Sequence, residues 1–191
     1  MIAAVLDIET TGLDAIGSGS LLCAVIKPLA KSDIVLRADE LHCAPGSERR
    51  LVTAVNEAIG QFDLIIGHNV DRFDLAWMRS RSVFFGLQEA NRPFVYDTMK
   101  AFRRLGYRTV MNGFGKPTAS LKHIVDFFGV EQEKTDILPR EWWAAIWNKP
   151  SERKPAMDNI VSHCRADVRM TERVYWLLLR ADHAASIRRF R

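Results

Sequence analysis

The sequence predicts an α/β protein built on a mixed β-sheet with helices on both faces. Two observations predict this fold class. Three short β-rich segments follow one another near the start of the chain, with connections short enough for an antiparallel meander. Beyond residue 47, segments with helical periodicity alternate with short apolar runs, which is typical of parallel strands joined by helices. The 191 residues are predicted to form one domain over 1–191, with two small domains as the alternative.

The first half of the chain supplies three strands and a helix. The first strand is predicted from IAAVLDIE, an apolar β-rich run that ends at the turn signal Thr11-Gly12. Two further strands are predicted from LLCAVIKPL and DIVLRAD. A helix is predicted after Ser47, the expected N-cap, because apolar residues then recur at helical spacing: Leu51, Val55, Ala58, Ile59 and Phe62.

The second half of the chain continues the alternation and ends in helices. DLIIGHN predicts a strand, DLAWMRSRSVFF a helix and RPFVYDT another strand. A helix is expected to run into residue 105, followed by the loop GYRTVMNGFGKPT. A short helix from Ser120 to near Gly129 and a final helix from about Ala156 to Ala181 complete the prediction.

The net charge of +4 is mild, but the basic residues are clustered. Such clusters suit a polyanionic partner, although a solvated surface would carry the same side chains. The clustered residues are Arg72, Arg79, Arg81, Arg92, Lys100, Arg103, Arg104 and Arg108, together with Arg188, Arg189 and Arg191 at the end of the chain.

The cysteine count and the apolar runs indicate a reducing compartment. Three cysteines without a CxxC spacing argue against both a disulfide framework and a zinc site. The first residues lack a basic start and their apolar run is broken by Asp7, so no signal peptide is expected. No apolar run is long enough to cross a bilayer. We therefore expect a cytoplasmic protein.

Two carboxylates lie on one face of the first predicted strand. The two-residue period of a strand places Asp7 and Glu9 on the face of Val5, with α-carbons about 6.7 Å apart. At an effective dielectric constant near 20, the two charges would repel by about 2–3 kcal/mol. Two arginines or a divalent cation could offset this repulsion, and oxygen-only ligands favour Mg²⁺ or Mn²⁺. A solvated strand end is the alternative.

Two further groups of polar residues are candidates for a site. His68, Asn69, Asp71 and Asp74 are expected to cluster where the DLIIG strand passes into a helix, although an aspartate there is also an ordinary helix cap. In SHCRADV, His163 and Asp167 are four residues apart and share one helix face. A structural surface pair is the alternative for this last group.

Taken in order, DIETTGL, GHNVDRFD and HCRADV resemble the three motifs of the DEDD superfamily of 3′→5′ exonucleases, which have an RNase H-like fold. The spacing Asn69-x-x-x-Phe73-Asp74 is most similar to that in exonuclease domains of family B DNA polymerases and their stand-alone relatives. The resemblance implies a sheet of three antiparallel strands followed by parallel ones. It also implies that four acids would hold two divalent ions, Mg²⁺ or Mn²⁺, at the scissile phosphate: Asp7, Glu9, Asp74 and Asp167.

The same resemblance implies which residues would contact the nucleic acid. Thr10, Thr11 and Gly12 would lie against the terminal nucleotide, Leu13 near the last base, and Asn69 and Phe73 along the path of the strand.

The third motif departs from the family pattern. One branch of the family has a tyrosine four residues before the last aspartate, and the other has a histidine five residues before it. Here His163 occupies the tyrosine register. An imidazole, whose ordinary pKa is near 6.5 against about 10 for a phenol, is the better general base near neutral pH. We expect His163 to activate the water, with metal binding or pairing to Asp167 as the alternatives.

The predicted function is a metal-dependent 3′→5′ exonuclease that acts on single-stranded ends, with DNA favoured over RNA. A loop rich in cations and rings supports a single-stranded substrate: Arg103, Arg104, Tyr107, Arg108, Phe114 and Lys116. Trp142, Trp143 and Trp147 recur at helical spacing after Pro139 and are expected to pack, or otherwise to stack on bases or bind a partner. The alternatives are an exoribonuclease that trims short RNA and a non-catalytic nucleic-acid-binding module on the same fold.

Overall fold

A five-stranded sheet in the order β3-β2-β1-β4-β5 forms the centre of the protein. The computed structural model describes residues 1–17, 19–44, 46–89, 93–105, 119–131, 137–147 and 149–181. Within them the strands are β1 (Ala3–Thr10), β2 (Leu21–Pro28), β3 (Ile34–Arg37), β4 (Leu64–Gly67) and β5 (Phe94–Asp97). The helices are α1 (Arg49–Ile59), α2 (Asp74–Phe84), α3 (Thr98–Arg104), α4 (Leu121–Phe127), α5 (Pro139–Trp147) and α6 (Pro150–Ala181).

The strand directions confirm the predicted mixed sheet. β1 pairs antiparallel with β2, which pairs antiparallel with β3. β4 and β5 extend the sheet on the other side of β1 as parallel strands. The carboxyl ends of β1, β4 and β5 therefore meet at one edge of the sheet, where the chain passes from β4 toward α2 and from β5 into α3.

The alternation of side chains along β1 produces two cores. Ala4, Leu6 and Ile8 are buried against α1 and α2 on one face. Val5 is buried on the other face against α6, whose contribution includes Ile160. This arrangement confirms the two faces predicted from the two-residue period, and it places Asp7 and Glu9 on the α6 side. A third group of apolar residues packs α3 and α4 against the second half of α6.

Two predicted helix boundaries are wrong, and the first is explained by contacts that sequence patterns do not show. Ser47 does not cap α1, since its hydroxyl donates to the Ala44 carbonyl at 3.2 Å and the helix begins after Glu48. The Glu48 carboxylate is buried and bound to distant residues, which fixes the start of the helix. α6 begins at Pro150, six residues before the predicted start, and continues through Pro155. Other boundaries agree with the prediction, including the N-cap of α4 at Ser120.

The structure agrees with the expected absence of disulfides and departs from one expectation about charge. All three cysteines, Cys23, Cys43 and Cys164, are free and buried. Arg81, one of the clustered basic residues, is only 1% exposed and cannot belong to a polyanion-binding surface. Among the described residues, no helix combines the length and the apolar character that a membrane span requires.

Candidate active site

Asp74 links the first two motifs directly. It is the first residue of α2 and is 2% exposed. Its Oδ1 accepts a hydrogen bond from the backbone N–H of Ile8 at 3.0 Å. Ile8 lies between Asp7 and Glu9 on β1, so this bond holds the start of α2 beside both acidic positions.

The helix α6 brings the third motif to the same place. Cys164 packs against β1, and its thiol donates to the backbone carbonyl of Asp7 at 3.3 Å. One potential ligand atom from each of Asp7, Glu9 and Cys164 lies within 4.8 Å of the others. Asp167 follows one turn later on the side of α6 that faces these carboxylates, and its negative charge acts on both Asp7 and Glu9.

His163 lies between two of the acids rather than beside one. Its Nε2 is 3.9 Å from Glu9 Oε1 and 3.9 Å from Asp167 Oδ2. These distances are longer than hydrogen bonds but short enough for strong electrostatic attraction when the ring is protonated. The side chain is 30% exposed, so one part of the ring faces the carboxylates while another remains open to solvent.

Burial raises the pKa of all four carboxyl groups, and repulsion from the other acids adds to it at Asp7 and Glu9. Burial contributes most at Asp7, followed by the charges of Asp74, Glu9 and Asp167, and the pKa is raised well above its ordinary value. Burial also raises the pKa of Glu9 to about 9 and that of Asp74 to about 7. The pKa of Asp167 is raised by burial and lowered in part by His163. The cluster therefore disfavours its own full ionisation.

Within the described part of the chain, His163 is the only basic side chain seen beside these carboxylates. No lysine or arginine of the described residues forms an ion pair with the carboxylates of Asp7, Glu9, Asp74 or Asp167. Asp7 Oδ2 is buried without a hydrogen-bond partner among the described residues. Among the described residues there is thus no arginine pairing of the kind considered from the sequence, and the 15% exposure of the Glu9 side chain argues against a fully solvated strand end. Converging carboxylate oxygens with an unsatisfied buried atom fit hard divalent cations such as Mg²⁺ or Mn²⁺.

The turn after β1 carries four of the residues expected to contact substrate. Thr10 Oγ1 donates to the Gly12 carbonyl at 2.8 Å. Thr11 pairs across the loop with Ser20, because its N–H donates to the Ser20 carbonyl at 3.0 Å and its Oγ1 accepts from the Ser20 N–H at 2.8 Å. Leu13 is 87% exposed. The turn is therefore ordered by its own hydrogen bonds and presents an apolar side chain to solvent.

The residues of the second motif differ in their surroundings. Asn69 has a positive φ of 59°, and Phe73 precedes α2 and packs partly against the core. Asp71 is exposed and forms an ion pair with Lys100. His68 is mostly buried, and its Nδ1 lies 3.0 Å from Thr98 Oγ1. The side chains of His68 and Asp71 thus contact Thr98 and Lys100, and the predicted cluster of these residues with Asp74 stays a prediction.

The contacts of His68 indicate a structural role. Burial lowers its pKa to about 4. Thr98 Oγ1 donates to the Gly67 carbonyl at 3.1 Å, so the His68 ring donates from Nδ1 to the Thr98 oxygen. The histidine thus joins the end of β4 to the start of α3 in its neutral form.

Asp97 is a buried acid that sequence reasoning missed. It ends β5, is 4% exposed, and its Oδ1 accepts from the N–H groups of Asn69 and Lys100, each at 3.2 Å. It therefore caps α3 and holds the strained backbone of Asn69. Its charge also raises the pKa of Asp74. The available signal was an acidic residue at the end of a predicted parallel strand, next to the strand that carries the second motif.

Part of the predicted nucleic-acid surface lies outside the described residues. This part comprises Arg92, Tyr107, Arg108, Phe114, Lys116, Arg188, Arg189 and Arg191, and also the side chain of Trp147. Trp142 packs partly against the core beside α6, as expected for a packing residue. Trp143 on the same helix is 65% exposed.

A model of the RNase H superfamily matches residues 4–179. The chain belongs to the RNase H superfamily. The match includes all four acids and His163, and it agrees with the strand order of the sheet. No curated protein matches the sequence.

Two solved structures of other proteins are similar in fold to this chain. One is the family B DNA polymerase of the hyperthermophilic archaeon Pyrobaculum calidifontis, with a TM-score of 0.68 and 17% identity over 94% of this chain. The other is E. coli exonuclease I in complex with a dT13 oligonucleotide, with a TM-score of 0.55 and 17% identity over 95% of this chain. The match spans 24% of the polymerase chain and 41% of the exonuclease chain.

Proposed function

We propose that the protein is a metal-dependent 3′→5′ exonuclease that hydrolyses single-stranded nucleic acid, preferentially DNA, with residues 1–191 acting as one domain. The observation that carries this proposal is the convergence of four carboxylates, one buried (Asp74) and three partly buried (Asp7, Glu9 and Asp167), that no lysine or arginine of the described residues neutralises. Like charges buried together destabilise a fold unless a ligand offsets their repulsion. A site of this kind is suited to phosphoryl chemistry on a polyanion.

Asp7, Glu9, Asp74 and Asp167 would hold two Mg²⁺ or Mn²⁺ ions, which supply Lewis-acid stabilisation of the phosphate and a nucleophilic hydroxide at neutral pH. To bind cations, the carboxyl groups must lose the protons that burial and repulsion favour. Glu9, with a pKa of about 9, would release a proton on binding at neutral pH. The bond from Ile8 to Asp74 keeps the second motif in place while the charge of the site changes.

His163 is proposed as the general base. Its Nε2 lies 3.9 Å from Glu9 Oε1 and 3.9 Å from Asp167 Oδ2, beside the acids that would hold the cations, where the ring could accept a proton from the attacking water. Its partial exposure gives that proton a route to solvent. A tyrosine at this position would need a far larger pKa shift to serve the same role near pH 7.

The remaining predicted contacts would position the end of the strand. The turn from Thr10 to Leu13 directly follows the acids of β1, and the exposed Leu13 could lie against a nucleobase. Asn69 and Phe73 precede Asp74 on the other side of the same acids. A polymerase of family B and an exonuclease bound to dT13 share this fold, which supports single-stranded DNA as the substrate.

A direct assay uses 5′-labelled single-stranded DNA and RNA of matched sequence, with Mg²⁺ or Mn²⁺, and Asp7→Asn as the inactive control. The proposal predicts a ladder of products shortened from the 3′ end, formed faster on DNA. Faster laddering of RNA would favour an exoribonuclease. Binding of either strand without any laddering would contradict the proposal and indicate a non-catalytic binding module.

A further inference from the structure

The ion pair between Arg81 and Glu48 is buried in the core away from the four acids. Both side chains are 1% exposed, and Arg81 Nη2 lies 2.6 Å from Glu48 Oε1. Glu48 Oε2 and Arg81 Nε have no hydrogen-bond partner among the described residues. A buried pair with unsatisfied atoms is a poor source of stability, because both charges lose their hydration. Its contacts therefore indicate another role.

The hydrogen bonds of this pair lead to one segment, the connection between β1 and β2. Arg81 Nη1 donates to the Ala15 carbonyl at 3.1 Å. Glu48 Oε1 accepts from the backbone N–H of Leu21 at 3.2 Å. The two members of the pair thus hold the segment in its middle and at its end.

Neighbouring contacts extend the same attachment. The Gly46 N–H, close to Glu48 along the chain, donates to Ser20 Oγ at 2.8 Å. The indole of Trp77 on α2 lies so close to Gly19 that an added β-carbon would be 3.5 Å from the ring. Ser20 in turn forms two hydrogen bonds with Thr11, so its position determines that of the turn that follows the β1 acids.

The orientation of the Arg81 guanidinium is fixed from the other side by aromatic rings. Its central carbon lies 4.5 Å from the ring centre of Phe84 and 4.7 Å from that of Phe85. Cation–π contacts of this kind hold the planar group in one orientation. Arg81 therefore links α2, which begins at Asp74, to the segment after β1 in a fixed orientation.

The segment held in this way presents apolar side chains to water. Leu13 is 87% exposed and Ile16 is 67% exposed. A hydrogen-bonded segment that displays apolar side chains next to acidic residues is suited to contact with the face of a nucleobase.

We propose that Arg81 and Glu48 are positioning residues that hold the β1–β2 segment in the shape that receives the terminal nucleotide of the strand. The inference rests on the proposed exonuclease function, and it adds Ile16 to the predicted contact surface. The pair acts only on binding of the strand end, since neither residue touches the four acids. Loss of the pair should therefore raise KM and leave kcat nearly unchanged.

The test replaces both charges together, with Arg81→Met and Glu48→Leu in one protein, because paired apolar replacement avoids leaving one charge buried alone. The matched control is Lys27→Met with Glu172→Leu, which removes the 2.6 Å ion pair between β2 and α6. With a 5′-labelled dT oligonucleotide, we expect KM to rise about 10-fold in the first variant, with kcat within about 3-fold of wild type. The control should retain the wild-type KM. A folded Arg81/Glu48 variant with wild-type KM would overturn the inference while the exonuclease proposal stands.

A second measurement uses the wild-type protein and does not depend on the folding of a variant. Amide hydrogen exchange is followed over residues 11–21 with and without the dT oligonucleotide, in EDTA so that no cleavage occurs. The inference predicts slower exchange in this segment when the oligonucleotide binds. Binding of the oligonucleotide without any protection of residues 11–21 would contradict it, whether or not the protein cleaves the strand.

Discussion

Two buried groups of charge in this protein differ in how their charges are balanced. Arg81 and Glu48 carry opposite charges and compensate each other inside the core. Asp7, Glu9, Asp74 and Asp167 carry like charges, and no lysine or arginine of the described residues pairs with them. The first group can persist without a ligand, whereas the second is stable at full charge only with bound cations. This difference separates an ion pair that can balance its own charges from four acids that are proposed to bind cations.

Neutralising one of the four acids should have the largest effect on activity. Asp7→Asn should lower exonuclease turnover by about 10⁴-fold or more, because several kcal/mol of Lewis-acid stabilisation depend on the lost ligand. In EDTA the same change should make the protein more stable toward urea, because it removes one of the repelling buried charges. Both results are obtained from one preparation, by a labelled-strand assay and by urea unfolding. A variant that is inactive and also less stable in EDTA would indicate a structural role for Asp7 instead.

Removing the histidine separates proton transfer from cation binding. His163→Ala should lower kcat by about 10²–10⁴-fold, the range that general-base removal commonly produces. Affinity for Mn²⁺ should remain close to wild type, because the four carboxylates are unchanged. Near-wild-type kcat in His163→Ala would leave the general-base assignment without support, and a parallel loss of Mn²⁺ affinity would make His163 a ligand.

Substitution of Asp97 should lower the free energy of unfolding, an effect smaller than the losses of turnover described above. Its Oδ1 caps α3 at Lys100 and holds the N–H of Asn69, so Asp97→Ala should destabilise the fold by about 1–2 kcal/mol, as loss of an N-cap does. Asp97→Asn keeps an acceptor oxygen and should lose less. Urea unfolding of the two variants distinguishes these outcomes, and equal losses would show that the charge matters more than the two hydrogen bonds.

The metal-free protein should become less stable as the pH rises. Glu9 has a pKa of about 9 in the fold against an ordinary value of 4.5, so between these values the folded state holds a proton that the unfolded chain has released. Stability from this group is fully present below about pH 4.5 and is lost as the pH rises toward 9. Urea unfolding in EDTA from pH 5 to 9 measures the slope, and saturating Mn²⁺ should weaken or reverse it. A stability in EDTA that rises across this range would contradict the raised pKa.

The sequence predicted the parts of the fold that follow from local periodicity. The two faces of β1 and the order of strand directions were correct, because alternation and helical spacing are properties of neighbouring residues. The convergence of Asp7, Glu9, Asp74 and Asp167 was predictable because three motifs occurred in a known order. Their roles in catalysis remain predictions.

Two of the errors arise from long-range contacts. Ser47 was a plausible cap, but Glu48 is fixed by Leu21 and Arg81, which are distant in the sequence. Arg81 belonged to a basic cluster in the sequence yet is buried, because its partner lies on another element. No local pattern carries this information.

Calorimetric titration of the metal-free protein with Mn²⁺ at pH 7 tests the central claim most directly, with Asp7→Asn and the Lys27→Met/Glu172→Leu control measured in parallel. The four-carboxylate site predicts binding of two ions per chain, with proton release that appears as a dependence of the heat on the buffer. It also predicts that Asp7→Asn weakens binding severely and that the control binds as wild type does. Absence of saturable Mn²⁺ binding, or binding that Asp7→Asn leaves unchanged, would contradict the account.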